Sequence, residues 1–267
     1  MQNIRSPAVA GMFYPAEPDI LARDVRAMLA AAKPCEYSPK ALIVPHAGYV
    51  YSGPIAASAY TALKNAAARI RRVVLLGPAH RVAVHGLALP GTDAFATPLG
   101  AIQVDVEAAQ SIAHLPQVTV SPQAHALEHS LEVQLPFLQA LLPGFKLLPL
   151  AVGMATPEEV AEVLELLWGG EETLIVVSSD LSHYLPYDVA KRVDTATVQS
   201  ILDLKYPISH EQACGGTPIN GLLVAARHHH LAPHLLDLRN SGDTAGPRDG
   251  VVGYASFILT GKEAEHA

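Results

Sequence analysis

Three apolar runs in this chain each stop on a histidine. Leu42-Ile43-Val44 leads into Pro45-His46, Val73-Val74-Leu75-Leu76 into Gly77-Pro78-Ala79-His80, and Leu174-Ile175-Val176-Val177 into Ser178-Ser179-Asp180-Leu181-Ser182-His183. Imidazole titrates near neutrality and is a common metal ligand. Short β-branched runs with no helical period read as buried strands. In open α/β sheets, ligands bind beyond the carboxyl ends of such strands. The repeated arrangement therefore predicts that His46, His80 and His183 converge on one crevice.

Cys214 precedes Gly215-Gly216-Thr217-Pro218, at the mouth of a predicted helix. Unpaired N–H groups and the positive dipole end lower the pKa of a thiol placed there. The competing reading is a small buried hydrophobe. His46, His80 and Cys214 would form a three-ligand set with open positions, as a catalytic metal requires. No close-spaced H-E-x-x-H or C-x-x-C pair accompanies it. Asp180 and His183 lie three apart, so the carboxylate can orient the imidazole as a general base, or simply cap the turn. His129 and Glu132 sit one helical turn apart and share a face, either lining the pocket or forming an exposed polar stripe. The run His228-His229-His230 with His234 fits the cationic carboxyl end of a helix better than a metal tract.

The elements that must position these residues alternate between strands and helices, the pattern of an α/β layer fold. The predicted fold is one domain over 1–267, with a central, mostly parallel or mixed sheet flanked by helices. Strands are expected at 41–44, 73–76, 86–89, 146–152, 173–177, 235–238 and 251–259. Helices are expected from a cap at Asp19 to Ala32, from Pro54 to Ala68, from Asp105 to Ala113, over 157–168, over 188–203, and from Thr217-Pro218 to His230. Thr156-Pro157-Glu158-Glu159 combines a cap, a first-turn proline and a capping-box glutamate. Ser209-His210-Glu211-Gln212 has the same box pattern, and Pro136 is expected to kink or break the helical spacing that begins at His129.

Half of the 267 residues are apolar and 16% are charged, enough to bury a large core. A net charge of −7 argues against a nucleic-acid surface. Arg69-Arg71-Arg72, the only tight basic cluster, is expected to cap a helix end. No apolar stretch approaches the ~18–20 residues that span a bilayer, and the start lacks a signal-peptide core. Cys35 and Cys214 are far apart, so a disulfide framework is not expected and a cytoplasmic location is.

In order along nearly the whole chain, several motifs resemble those of the Memo-like family. They are Arg5-Ser6-Pro7-Ala8-Val9-Ala10-Gly11-Met12-Phe13-Tyr14-Pro15, Val44-Pro45-His46-Ala47-Gly48-Tyr49-Val50-Tyr51-Ser52-Gly53 and Leu76-Gly77-Pro78-Ala79-His80, followed by Glu128-His129-Ser130-Leu131-Glu132-Val133-Gln134-Leu135-Pro136, Ser178 to His183, and Cys214-Gly215-Gly216-Thr217-Pro218-Ile219. The bacterial and archaeal branch of that family is the AmmeMemoRadiSam system protein B. Its fold resembles the class III extradiol dioxygenases, which hold non-haem Fe(II) with two histidines and a glutamate and use a further histidine as base. The resemblance implies that His46 and His80 are the metal histidines and His183 the base. Cys214 stands where the dioxygenases have glutamate; a softer thiolate suits iron, copper or zinc and changes the redox potential, so ring cleavage does not carry over.

These readings give a leading expectation and two alternatives. The first is a metal-dependent redox enzyme, dioxygenase-like, holding one divalent transition metal (Fe(II) favoured, Cu or Zn open) and a small-molecule substrate in a pocket shaped by His129 and Glu132. The second is a non-catalytic module that binds peptides or phosphopeptides in the same crevice, with Tyr49 and Tyr51 in the groove. The third is zinc-assisted hydrolysis. The family name further implies AMMECR-type and radical SAM protein partners.

Overall fold

A computed structural model describes residues 3–261. In chain order the elements are β1 (Ile4–Arg5), α1 (Pro18–Ala31), β2 (Ala41–Val44), α2 (Tyr49–Tyr60), β3 (Arg72–Pro78), β4 (Leu87–Leu89), β5 (Ala94–Thr97) and β6 (Gly100–Gln103). There follow α3 (Val106–Ile112), β7 (Val118–Val120), α4 (Pro122–Ala126), α5 (Leu135–Leu141), β8 (Lys146–Val152), α6 (Pro157–Leu167), β9 (Thr173–Ser178) and β10 (His183–Leu185). The chain then runs through α7 (Tyr187–Leu202), α8 (Gly216–His228), β11 (Leu231–Asn240) and β12 (Val251–Gly261).

The main sheet has the order β10-β12-β2-β9-β3-β8-β4-β7, with β11 paired to β12. Its centre, β2-β9-β3-β8, is parallel, while β12 on β2 and β4 on β8 are antiparallel. A small second sheet joins β1, β5 and β6. The central strands are buried on both faces, which is why they read as unbroken apolar runs. Alternate residues feed two cores. Leu42, Val44, Val73 and Leu75 face the core that holds Leu21, Val25, Tyr60 and Phe137, on the α1, α2 and α5 side. Ile43, Val74, Leu76 and Val177 face the core that holds Val160, Leu164, Ile219 and Leu222, on the α6 and α8 side. The period-2 alternation of a strand does this sorting.

Several boundaries differ from expectation. Pro54 lies inside α2 rather than at its start. The helix begins five residues earlier because the Tyr49 N–H bonds the Phe13 carbonyl at 2.7 Å and Gly48 accepts from Tyr51 and Ser52. The proline forfeits only the bond to the carbonyl of Val50, an exposed residue. Pro136 starts α5 instead of breaking a helix, since a missing N–H costs nothing in a first turn. Glu17, not Asp19, occupies the cap of α1. Ser209 and Gln212 do bond reciprocally but close only a turn. The basic cluster caps no helix: Arg69 pairs with Glu171 and Arg72, in β3, with Asp105. The capping box of Thr156 and Glu159 is present as read. No helix among the described residues is long and apolar enough to cross a membrane.

Candidate metal centre

The sheet order places the carboxyl ends of β2, β9 and β3 side by side, and each delivers a site segment. His46 follows β2, Asp180 and His183 follow β9, and His80 follows β3. The fourth contributor is the irregular segment between α4 and α5. It approaches β3 closely because Gly77 lacks a side chain: a Cβ there would lie 2.7 Å from Ser130 Oγ. Ser130 Oγ in turn donates to the Pro78 carbonyl at 2.9 Å. This contact brings His129 over the sheet end.

One ligand atom each from His46, His80 and His129 falls within 4.8 Å of the others, as a shared metal ion requires. The rings are 5.3 Å apart for His46 and His80, 5.4 Å for His46 and His129, and 4.7 Å for His80 and His129. Each ring has a second partner that decides which nitrogen is free. Ser178 Oγ gives its only hydrogen to the Ser130 carbonyl at 2.7 Å, so it must accept from His46 Nδ1 at 2.9 Å. His46 therefore presents a bare Nε2. His80 Nδ1 lies 2.9 Å from Glu128 Oε1, leaving its Nε2 free in the same way. His129 Nδ1 is 3.4 Å from the same carboxylate oxygen. Carboxylate–histidine pairs of this kind orient metal ligands and raise their basicity.

Electrostatics keep His46 and His129 neutral. Burial pushes His46 well below the usual histidine range, and the neighbouring His129 and His80 add to it. Burial likewise takes His129 down to about 4. Neutral imidazole is the form that binds metal.

Cys214 lies in the turn before α8, and its Sγ is 3.3 Å from His46 Nε2. Of the expected set, His46 and His80 come together and the Cys214 sulfur lies against His46. The donors within mutual reach are three histidines, with the sulfur against one of them. The thiol is also not activated as the helix-mouth position suggested. Burial and the nearby Asp180 push it up to about 12. It is held as a protonated thiol facing the bare nitrogen of His46.

Asp180 does not orient His183. Its carboxylate accepts from the His46 backbone N–H at 2.7 Å and from Ala47, holding the β2 turn. Burial raises its pKa to about 7 despite those bonds. The His183 ring instead hydrogen-bonds the Leu181 backbone, and burial lowers its pKa. The segment before His183 is anchored from α7, where Asp194 accepts the Ser182 N–H at 3.0 Å. Gly253 makes room for that carboxylate; a Cβ there would sit 2.0 Å from Asp194 Oδ2.

Two expected pocket residues belong to the core. Tyr49 is buried, packs against Tyr14 and Phe137, and donates to the Val133 carbonyl at 2.8 Å. Glu132 is wholly buried and accepts from Arg5, Tyr14 and the N–H groups of Ala8 and Val9. It is not on a helical face with His129, because the intervening chain is irregular and enters a short 3₁₀ turn at Glu132. Glu128, in contrast, is a site residue given no role by the sequence reading; its position beside a candidate ligand in Glu128-His129 was the available signal. Among the surface histidines, His228 and His229 pair with Glu165, and His234 stacks on Tyr37.

A mixed α/β sheet with imidazoles gathered at the ends of its parallel strands defines a protein with a candidate metal centre at a strand-end crevice. The model of the Memo-like protein family matches residues 5–258, and the chain belongs to that family. It is 37% identical to a MEMO1 family protein of Methanosarcina barkeri, over 96% of this chain and all of that relative. MEMO1 family proteins of Archaeoglobus fulgidus and Aquifex aeolicus are 36% and 35% identical, each over 96% of this chain and 99% of theirs. Among solved structures, the uncharacterized protein JW3007 from Escherichia coli K12 shares the fold, with a TM-score of 0.51 and 16% identity over 84% of this chain and 100% of that one.

Proposed function

We propose that this chain is a cytoplasmic, metal-dependent redox protein of the dioxygenase-like kind, acting on a small molecule. His46 and His80 would hold one divalent transition metal, with Fe(II) favoured. The observation that carries the reading is that a second partner lies at Nδ1 of each ring, which leaves Nε2 as the atom to meet a metal. Two further donors are at hand. His129 completes the group of mutually close nitrogens, and Cys214, 3.3 Å from His46 Nε2, would bind by losing its thiol proton. An imidazole set joined by a thiolate suits iron, copper or zinc over hard cations. When bound, iron or copper would supply one-electron chemistry at the open positions.

The residues of the chain have separable parts in this reading. Ser178 and Glu128 aim the two imidazoles. Asp180 holds the His46 turn. His183, whose pKa burial lowers, would take a proton from a substrate at the crevice. Association with AMMECR-type or radical SAM proteins belongs to the same proposal and rests on the family name alone. The phosphopeptide-groove alternative is weakened by the burial of Tyr49, and zinc hydrolysis is separated by metal identity, since zinc has no redox chemistry.

The test is elemental analysis and electronic spectroscopy of protein purified without oxygen, alongside His46→Ala and Cys214→Ala. Stoichiometric iron lost in His46→Ala supports the reading. A folded wild-type protein that binds no transition metal under these conditions overturns it.

A further inference from the structure

We propose that Arg5 and Glu132 are positioning residues for the metal centre, and that through them the amino-terminal segment 5–14 sets where His129 stands. This inference rests on the metal reading for its consequence, but its geometry does not. His46 and His80 follow directly from sheet strands, whereas His129 sits in a segment with no strand of its own. The side chain of Arg5 spans that segment. Its Nε donates to the His125 carbonyl at 3.0 Å, its Nη2 to the Glu128 carbonyl at 2.7 Å, and its Nη1 to the Glu132 carboxylate. These three contacts bracket His129 on both sides. No other cation in the repertoire offers such a fork; lysine would supply a single ammonium.

Glu132 closes the clasp from the opposite direction. Its carboxylate, wholly buried, accepts from Ala8 N at 2.8 Å, Val9 N at 3.0 Å and the Tyr14 hydroxyl, besides Arg5. Every acceptor position of a buried charge is thereby filled. The segment so gripped ends beside the site: the Phe13 ring stands 4.8 Å from the His129 ring, and the Phe13 carbonyl accepts from Tyr49 at the start of α2. β1 adds two residues of pairing to β5, with Arg5 opposite Phe95 and its guanidinium over that ring. Residues more than a hundred positions apart thus share one clamp, and His129 is its free end.

The full chain is stripped of metal and treated with diethylpyrocarbonate, which acylates accessible imidazole, and the modified histidines are read by peptide mass spectrometry. Glu132→Gln and Arg5→Lys are compared with wild type, and Phe13→Ala, which spares the buried ion pair, guards against misfolding. Acylation of His129 is expected to rise several-fold in each variant while His46 is unchanged. Co(II) affinity is expected to fall about 10-fold with a changed ligand-field spectrum, as for loss of a ligand-supporting contact. Unaltered His129 reactivity in folded Phe13→Ala and in either clamp variant overturns the proposal. A wild-type protein that fails to bind Co(II) counts against the metal reading, while the acylation pattern still decides the clamp. Full recovery of wild-type behaviour by Arg5→Lys would reduce Arg5 to a charge and also overturn it.

Discussion

The Glu128 carboxylate holds His80 at two points, the backbone N–H at 2.6 Å and ring Nδ1 at 2.9 Å. It also accepts the Ser130 N–H at 2.9 Å. Burial by itself would raise its pKa, but the hydrogen bonds from His80 and Ser130 outweigh it and hold Glu128 at about 2. Glu128→Gln keeps the shape and removes the charge that aims the ring. Metal affinity, measured by chelator competition, is expected to fall about 10–100-fold. Wild-type affinity in a folded Glu128→Gln protein would remove Glu128 from the centre.

Ser178→Ala deletes the acceptor for His46 Nδ1 and for Gln134 Nε2, which approaches the same hydroxyl at 2.8 Å. It also strips a donor from the Ser130 carbonyl. Leaving buried polar groups without partners costs about 1–3 kcal/mol, readable as a shift in the urea midpoint at constant slope. Nitrogen-edge NMR of His46 should then report a mixture of tautomers in place of one. A single unchanged tautomer would show that Ser178 does not choose it.

Coordination by Cys214 would have a proton signature. Its thiol sits at about 12, raised by burial and by Asp180. A metal must displace that proton, so binding releases acid and tightens as pH rises. Calorimetry of Zn(II) binding in buffers of different ionisation heat should count the proton. Cys214→Ser should lose it and flatten the pH dependence. Equal proton release in both proteins would place the sulfur outside the ligand set.

Acid should destabilise the metal-free protein early. His125 is buried, donates Nε2 to the Ala88 carbonyl at 2.7 Å, and leaves Nδ1 without a partner. Burial lowers its pKa from 6.5 to about 4. The unfolded chain therefore binds more protons than the folded one between those values, and stability falls as pH drops through that window. The loss is on the order of 3 kcal/mol for this group alone, and His46, His129 and His183 shift in the same direction. His125→Gln retains a donor toward Ala88 and should give a shallower decline in melting temperature from pH 7 to 4.5. An identical slope would clear His125 of the effect.

Much of this arrangement was legible in the chain. Buried parallel strands must be apolar on both faces, so β2, β3 and β9 announce themselves and their terminal histidines follow. Thr156 and Glu159 mark the start of α6 by local chemistry alone. The errors share one cause: side chains whose roles depend on distant residues. Glu132 three positions after His129 looks like a helical neighbour, until Arg5 and Tyr14 claim its carboxylate for the core. Tyr49 sits between glycines and reads as a loop, yet a backbone bond to Phe13 starts a helix on it. His129 reads only as pocket lining, because nothing near residue 129 reveals that Arg5 binds the carbonyls of His125 and Glu128 around it. Short pieces such as β1, β5 and β10 carry too few residues for any period to appear.

In the sheet, β9 lies between the two strands that carry His46 and His80. Neighbouring strands keep a spacing of about 4.8 Å set by their hydrogen bonds, so the backbone lattice fixes where the two turns carrying those histidines begin, and Asp180 and Glu128 hold the turns themselves. Metals differ in the bite they prefer. Of the four candidate donors, two sit on turns anchored to that frame, and any adaptation to ionic radius would fall to the other two. Changes in metal preference among relatives should accordingly be sought around residues 5–14 and 213–216, and not in β2 and β3.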